Sequence, residues 1–132
     1  MDTFYEEDIL GEGFQRTTLS LRDDYEGSAV ATLVRRLSDT GNGRSVLYIH
    51  GFNDYFFQRE MACRLNERSF HFYALDLRKY GRSWLSHQKF NDIRDIRVYF
   101  EEITLALQMI REEGSRTTVL LGHSTGGLIV TL

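Results

Sequence analysis

Gly122-His123-Ser124-Thr125-Gly126 spells G-x-S-x-G between two apolar stretches, Thr117 to Leu121 and Leu128 to Leu132. A serine hydroxyl is a weak nucleophile unless it is thrust toward a base, and a sharp strand-to-helix turn does this. Gly122 and Gly126 suit such a turn because neighbouring backbone approaches so closely that a Cβ would clash. The same five residues also fit a plain strand-to-helix connection built of small side chains. The apolar runs on both sides favour the nucleophile elbow, with Ser124 as nucleophile. Eight residues follow Ser124, so whatever completes a serine hydrolase after its nucleophile is expected beyond Leu132.

Outward from the elbow, the chain alternates strands and helices. Phe14 to Leu21 and Ser28 to Leu37, joined by the turn residues Asp23 to Gly27, are expected to form a hairpin. Ser45 to Ile49 is a short continuous apolar run, as expected of a strand buried on both faces. Helical spacing of Phe57, Met61, Ala62 and Leu65 predicts a helix over 54–68 with Asp54 as its cap. Phe70 to Leu77 is strand-like. A longer helix is predicted over 92–113 from Ile93, Ile96, Phe100, Ile103, Leu107 and Ile110, and Gly114 ends it. Buried strands alternating with amphipathic helices imply a mostly parallel α/β sheet with right-handed crossovers and helices on both faces.

His50-Gly51-Phe52 follows the buried run at Ser45 to Ile49. Acyl transfer needs two backbone N–H groups aimed at the developing oxyanion. Thr125, directly after the nucleophile and at the positive end of a new helix, is expected to give one. Phe52 is expected to give the other, with Gly51 letting the loop turn back toward the elbow. A strand-ending turn with a core aromatic is the plainer alternative for this segment taken alone. In Asp76-Leu77-Arg78-Lys79-Tyr80-Gly81-Arg82-Ser83, Asp76 and the arginines are expected to make charge-assisted bonds that hold the loop, with Gly81 in a conformation that other residues resist. None of His50, His71, His87 and His123 suits a general base. His123 is expected to pack beneath or beside Ser124. Phe52, Tyr55 and Phe56 hint at an apolar pocket but also fit ordinary core or rim positions.

Composition narrows the function classes. The 132 residues are 42% hydrophobic and 27% charged, as in soluble globular domains. Sixteen basic against 19 acidic side chains, with no long block of either sign, offer no surface for nucleic acid or an anionic membrane. The acidic start, Met1 to Asp8, is unlike a signal peptide, no run is long enough to span a bilayer, and a cytoplasmic location is expected. Cys63, the single cysteine, excludes an intrachain disulfide and a CxxC site, and is expected to be a buried apolar side chain. No metal or nucleotide motif is present, so neither metal nor cofactor is expected.

With these motifs in this order, the chain resembles the N-terminal half of the α/β-hydrolase superfamily. Within it, the likeness is to bacterial serine hydrolases grouped with monoacylglycerol lipases, lysophospholipases and S33-like serine aminopeptidases. The matching segments are Val46 to Gln58, Phe72 to Ser83 and Val119 to Gly127. The resemblance implies a single, incomplete α/β-hydrolase domain over 1–132, truncated after the elbow. It also implies a Ser-His-Asp triad whose acid and histidine follow the nucleophile, together with a lid and three further strands. Ser124 matches the nucleophile, the amides of Phe52 and Thr125 match the oxyanion positions, and His50, Gly51, Gly122, His123 and Gly126 surround them. The implied activity is hydrolysis of lipid-like carboxylic esters by acylation of Ser124. A catalytically inactive module that binds something or nothing is the alternative, and a third reading has the chain complemented by a separate C-terminal half.

Overall fold

The run around Val46 becomes β4 (Arg44–Ile49), the strand on which the others are arranged. In the computed structural model, residues 4–132 are described, so Met1, Asp2 and Thr3 of the acidic start lie outside the described residues. The other strands are β1 (Glu6–Glu7), β2 (Phe14–Ser20), β3 (Val30–Arg36), β5 (His71–Asp76) and β6 (Thr117–Gly122). The helices are α1 (Arg59–Glu67), α2 (Phe100–Glu112) and α3 (Thr125–Thr131). Strand order is β1-β2-β3-β5-β4-β6. The β2–β3 hairpin is antiparallel, as its turn residues predict, and β3 pairs antiparallel with β5. Parallel pairing places Val46 of β4 opposite both Phe72 of β5 and Val119 of β6.

Alternation along β4 and β5 feeds two cores. Val46, Tyr48, Phe72 and Ala74 face α1 and pack with Phe14, Phe56 and Ala62. Leu47, Ile49, Tyr73 and Leu75 face the other way, onto Ile103, Ala106 and Ile110 of α2 and Ile129 of α3. Continuous apolar sequence is thus explained by burial on both faces. β6 is different: it has the same kind of sequence, yet Val119 is 49% exposed and its outer edge is unpaired among the described residues.

Both helix predictions need correction at their starts. α1 begins at Arg59, not near Asp54, and its N-cap is Gln58, which makes no side-chain capping bond. The reason is tertiary: the Asp76 carboxylate accepts the Phe56 N–H at 2.9 Å and holds 54–57 out of helical geometry. Phe57 is consequently exposed, while Phe56 is fully buried. The predicted helix over 92–113 is an irregular segment, a 3-10 turn at Ile96–Tyr99 and then α2. Asp95 caps that turn, accepting the Arg97 N–H at 2.9 Å, and Gly114 ends α2 at φ +110° as expected. Cys63 is half-buried, on the polar side of α1, and not a core residue. No described helix is long and apolar enough to cross a membrane.

Buried charges tie the loop after β5 to its surroundings. Arg78 turns to α2, meeting Glu102 at 2.7 Å and Glu101 at 3.0 Å, with both Arg78 and Glu102 withdrawn from solvent. Lys79 is equally buried and pairs with Asp24 at 2.7 Å and Glu26 at 2.6 Å, in the turn of the β2–β3 hairpin. Removing one member of a buried pair leaves the other uncompensated, which costs about 3–5 kcal/mol. Arg78→Met should therefore destabilise the protein by about that amount, read as a lower urea midpoint. A change under about 1 kcal/mol, typical of an exposed pair, would show that water reaches Glu102.

Candidate active site

β6 ends at Gly122, and the His123 N–H donates to the Ile49 carbonyl at 3.1 Å, carrying the ladder one residue past the strand. The chain then reverses at Ser124, which sits at φ 55°, ψ −118°. A non-glycine residue in that region carries about 1–3 kcal/mol of strain. The turn is held by Gly126 N–H donating to His123 C=O and Gly127 N–H to Ser124 C=O, both at 2.9 Å. Ser124 is exposed, and its hydroxyl neither caps α3 nor makes another hydrogen bond among the described residues. A Cβ added at Gly126 would run into the carbonyl oxygens of Ile49 and His50, and one at Gly122 would lie 2.5 Å from the Gly126 carbonyl. The two glycines are therefore required by close approach of backbone.

β4 delivers the second loop beside the first. His50 is buried, its Nε2 accepting the Leu77 N–H at 3.1 Å and its Nδ1–H donating to the Gly51 carbonyl at 2.7 Å. Both ring nitrogens are used, which fixes a neutral tautomer. Gly51 lies against the elbow, so that a Cβ there would sit 3.3 Å from the Ser124 Cβ. Phe52 follows, 66% exposed. Neither its N–H nor that of Thr125 donates to another described residue.

The histidine expectations resolve unevenly. His71 Nδ1 accepts the Ser38 N–H at 3.0 Å and His87 Nε2 bonds the Ser28 carbonyl at 2.9 Å, both remote from the elbow. His123 is exposed, so it does not pack beneath the turn; it stands beside Gly51, its Nδ1 3.4 Å from where a Cβ would be. Of the three aromatics, Phe56 belongs to the core, while Phe52 and Tyr55 stand at the surface. A cleft of about 510 Å³ lined by Arg36, Ser38, Cys63 and Asn66 does not reach Ser124. Neither does a second one of about 370 Å³ between α2 and β6. The described residues include no cluster of metal-ligating side chains.

Asp76 holds the loop through an arginine of its own motif, Arg82, as expected, and also through Phe56, a partner that no local pattern announces. Its carboxylate accepts the Phe56 N–H, the Arg82 N–H and Arg82 Nη1, and Arg82 also pairs with Asp8. Gly81 has a positive φ of +43°, as expected. Asp8 was invisible to sequence reasoning because its partner lies 74 residues away.

A mixed sheet of this order, flanked on both faces and leading to a strained turn after the last strand, is the N-terminal portion of an α/β-hydrolase fold. The family model for serine aminopeptidases, S33, matches residues 42–132, and the chain belongs to this family. Among solved structures, a thermostable carboxyl esterase from Bacillus coagulans superposes with a TM-score of 0.70 at 20% identity, over 90% of this chain and 39% of its own. Est1E from Butyrivibrio proteoclasticus gives 0.64 at 18% identity, over 79% and 43%. Epoxide hydrolase A from Mycobacterium thermoresistibile gives 0.60 at 22%, over 87% and 33%. The chain thus spans about two fifths of the length of the structures it matches first. A sequence search of curated proteins gives no match.

Two outcomes test the geometry. Gly126→Ala drives a Cβ into rigid backbone, so it should cost at least the roughly 1–3 kcal/mol of an overpacked core, seen as a lower melting temperature; an unchanged melting temperature would mean the turn is looser than described. Burial holds the His50 imidazole below its ordinary 6.5. The unfolded chain then binds the extra proton first, so stability is full above about pH 6.5 and falls as the pH drops toward the folded value. Urea midpoints between pH 7.5 and 5.5 should show this slope, and His50→Asn should flatten it.

Proposed function

We propose that this chain carries the nucleophile and the oxyanion hole of a cytoplasmic serine hydrolase acting on lipid-like carboxylic esters, in the manner of lysophospholipases and monoacylglycerol lipases. The observation that carries the reading is Ser124, held exposed at φ 55°, ψ −118° with Gly51 packed against it. Strain of this kind persists only where the surroundings impose it, and it concentrates at functional sites. The unengaged N–H groups of Phe52 and Thr125 support the second half of the proposal. Exposed Phe52, Tyr55, Phe57 and Leu128 support an apolar substrate.

In the proposed reaction the Ser124 Oγ attacks the ester carbonyl carbon while a base takes its proton. The oxygen becomes an oxyanion that accepts hydrogen bonds from the Phe52 and Thr125 amides. Collapse expels the alcohol, protonated by the same base, and leaves an acyl-serine. Water then repeats the sequence and releases the carboxylic acid. The base and its orienting acid come from the part of the fold that this chain does not span, either on a longer polypeptide or on a complementing half. The unpaired, apolar edge of β6 supports further strands there.

A fluorophosphonate probe tests the reading. A longer form that includes the rest of the fold should be labelled, this chain alone should react at least about a thousandfold more slowly for want of the base, and Ser124→Ala should abolish labelling. An unreactive long form, or labelling that survives Ser124→Ala, overturns the proposal.

A further inference from the structure

The loop between β4 and α1 is gripped through its backbone at two places, and between them Tyr55 lies against Gly81. At its start, His50 fixes Gly51, as described. At its end the Phe56 peptide is held on both sides. Its N–H donates to Asp76 Oδ1 at 2.9 Å, and its carbonyl accepts Arg82 Nη1 at 2.8 Å. The Phe56 ring is anchored as well, within 5.2 Å of Phe72 and 6.2 Å of Phe14 between ring centres. Phe52 to Tyr55 lie between the two grips, where the bond to another element is Asn91 Nδ2 to Asn53 Oδ1, at 3.2 Å on the surface.

The second grip depends on a side chain far away. Arg82 can offer Nη1 to the Phe56 carbonyl because its other edge is fixed. Nε donates to Asp8 Oδ1 at 2.7 Å and Nη2 to Asp8 Oδ2 at 2.9 Å, a two-point contact with a carboxylate that has no solvent exposure. Such fork-to-fork pairs set orientation as well as energy. Asp8 is itself immobilised, since its N–H donates to Phe14 C=O at 3.0 Å and its Oδ2 accepts the Leu10 N–H at 3.2 Å. Nη1 is also held by Asp76 Oδ2 at 2.9 Å, so without Asp8 the guanidinium keeps that contact but loses the two-point pairing that fixes its plane, and the bond from Nη1 to the Phe56 carbonyl loosens.

We infer that Asp8, acting through Arg82 and Phe56, is a positioning residue for the backbone amide of Phe52. It touches no reacting atom. It sets how firmly the second oxyanion donor is held, and in this respect it rests on the function proposed above. A donor of this kind is worth about a hundredfold or more in kcat when removed outright, so loosening it should cost less, about tenfold.

Asp8→Asn keeps shape and volume but turns an amide donor toward the guanidinium. In the longer form that includes the rest of the fold, it should lower kcat on a short p-nitrophenyl ester about tenfold and leave KM within about twofold, because ground-state binding does not use the oxyanion contact. By NMR relaxation the backbone order parameters of residues 52–55 should fall from near 0.85 to below about 0.6, while core amides such as Leu47 keep their protection. Asp8→Glu, which restores the carboxylate, should recover part of both signals. Unchanged order at 52–55, or a loss of order shared equally by the core, overturns the inference. If the parent form shows no Ser124-dependent turnover, the hydrolase reading fails instead, and the relaxation measurement alone decides the role of Asp8.

Discussion

Everything at this site follows from the register between β4 and β6. Ile49 lies opposite Gly122, and the Ile49 carbonyl takes the His123 N–H. Because the two strands are parallel, their C-terminal ends emerge on the same side of the sheet, so the loop after His50 and the turn at Ser124 are placed in contact before any side chain is considered. A slip of one residue would point Leu47 and Leu120 at the wrong layers. Buried Leu47 and Ile49 on one face and Val46 and Tyr48 on the other prevent the slip. Core packing thus sets the geometry of the chemistry.

Hydrogen bonding to fixed charge then shapes the loops that the sheet brings together. The end of β5 and the segment after it contribute Asp76, Arg78, Lys79 and Arg82, all withdrawn from water; Asp76 pairs with Arg82, and the three cations reach carboxylates on α2, in the hairpin turn and just after β1. Desolvating so many ions is expensive, and apolar side chains of similar volume would give equal or greater stability. What the charges supply is direction: carboxylate and guanidinium groups fix individual peptide units, including Phe56, in a way that apolar contacts do not.

Much of this was legible in the sequence, for identifiable reasons. Strands β2 to β6, the hairpin and the elbow announce themselves through local signals: apolar runs, turn residues and glycines at fixed spacing. The beginnings of α1 and α2 did not, because Asp76 pulls Phe56 out of a helical pattern and Asp95 imposes a cap in the middle of another. β1, two residues long, has no pattern to read. At the site, the strained turn at Ser124 and the nearness of Gly51 follow from motif spacing. The exposure of His123 and the role of Asp8 arise only from the folded chain.

Lys79 has a consequence of its own. The protein has two lysines, Lys79 and Lys89, and the ammonium of Lys79 is enclosed by Asp24, Glu26 and the ring of Tyr25. Acylation of an amine needs its neutral form and room for the reagent, and these neighbours raise the proton affinity of Lys79 while closing the approach. An acetylating enzyme or an N-hydroxysuccinimide ester therefore meets a single reactive side-chain amine, that of Lys89, as long as the hairpin stays closed. Tagging chemistry and in-cell acetylation alike become reporters of whether this molecule is intact.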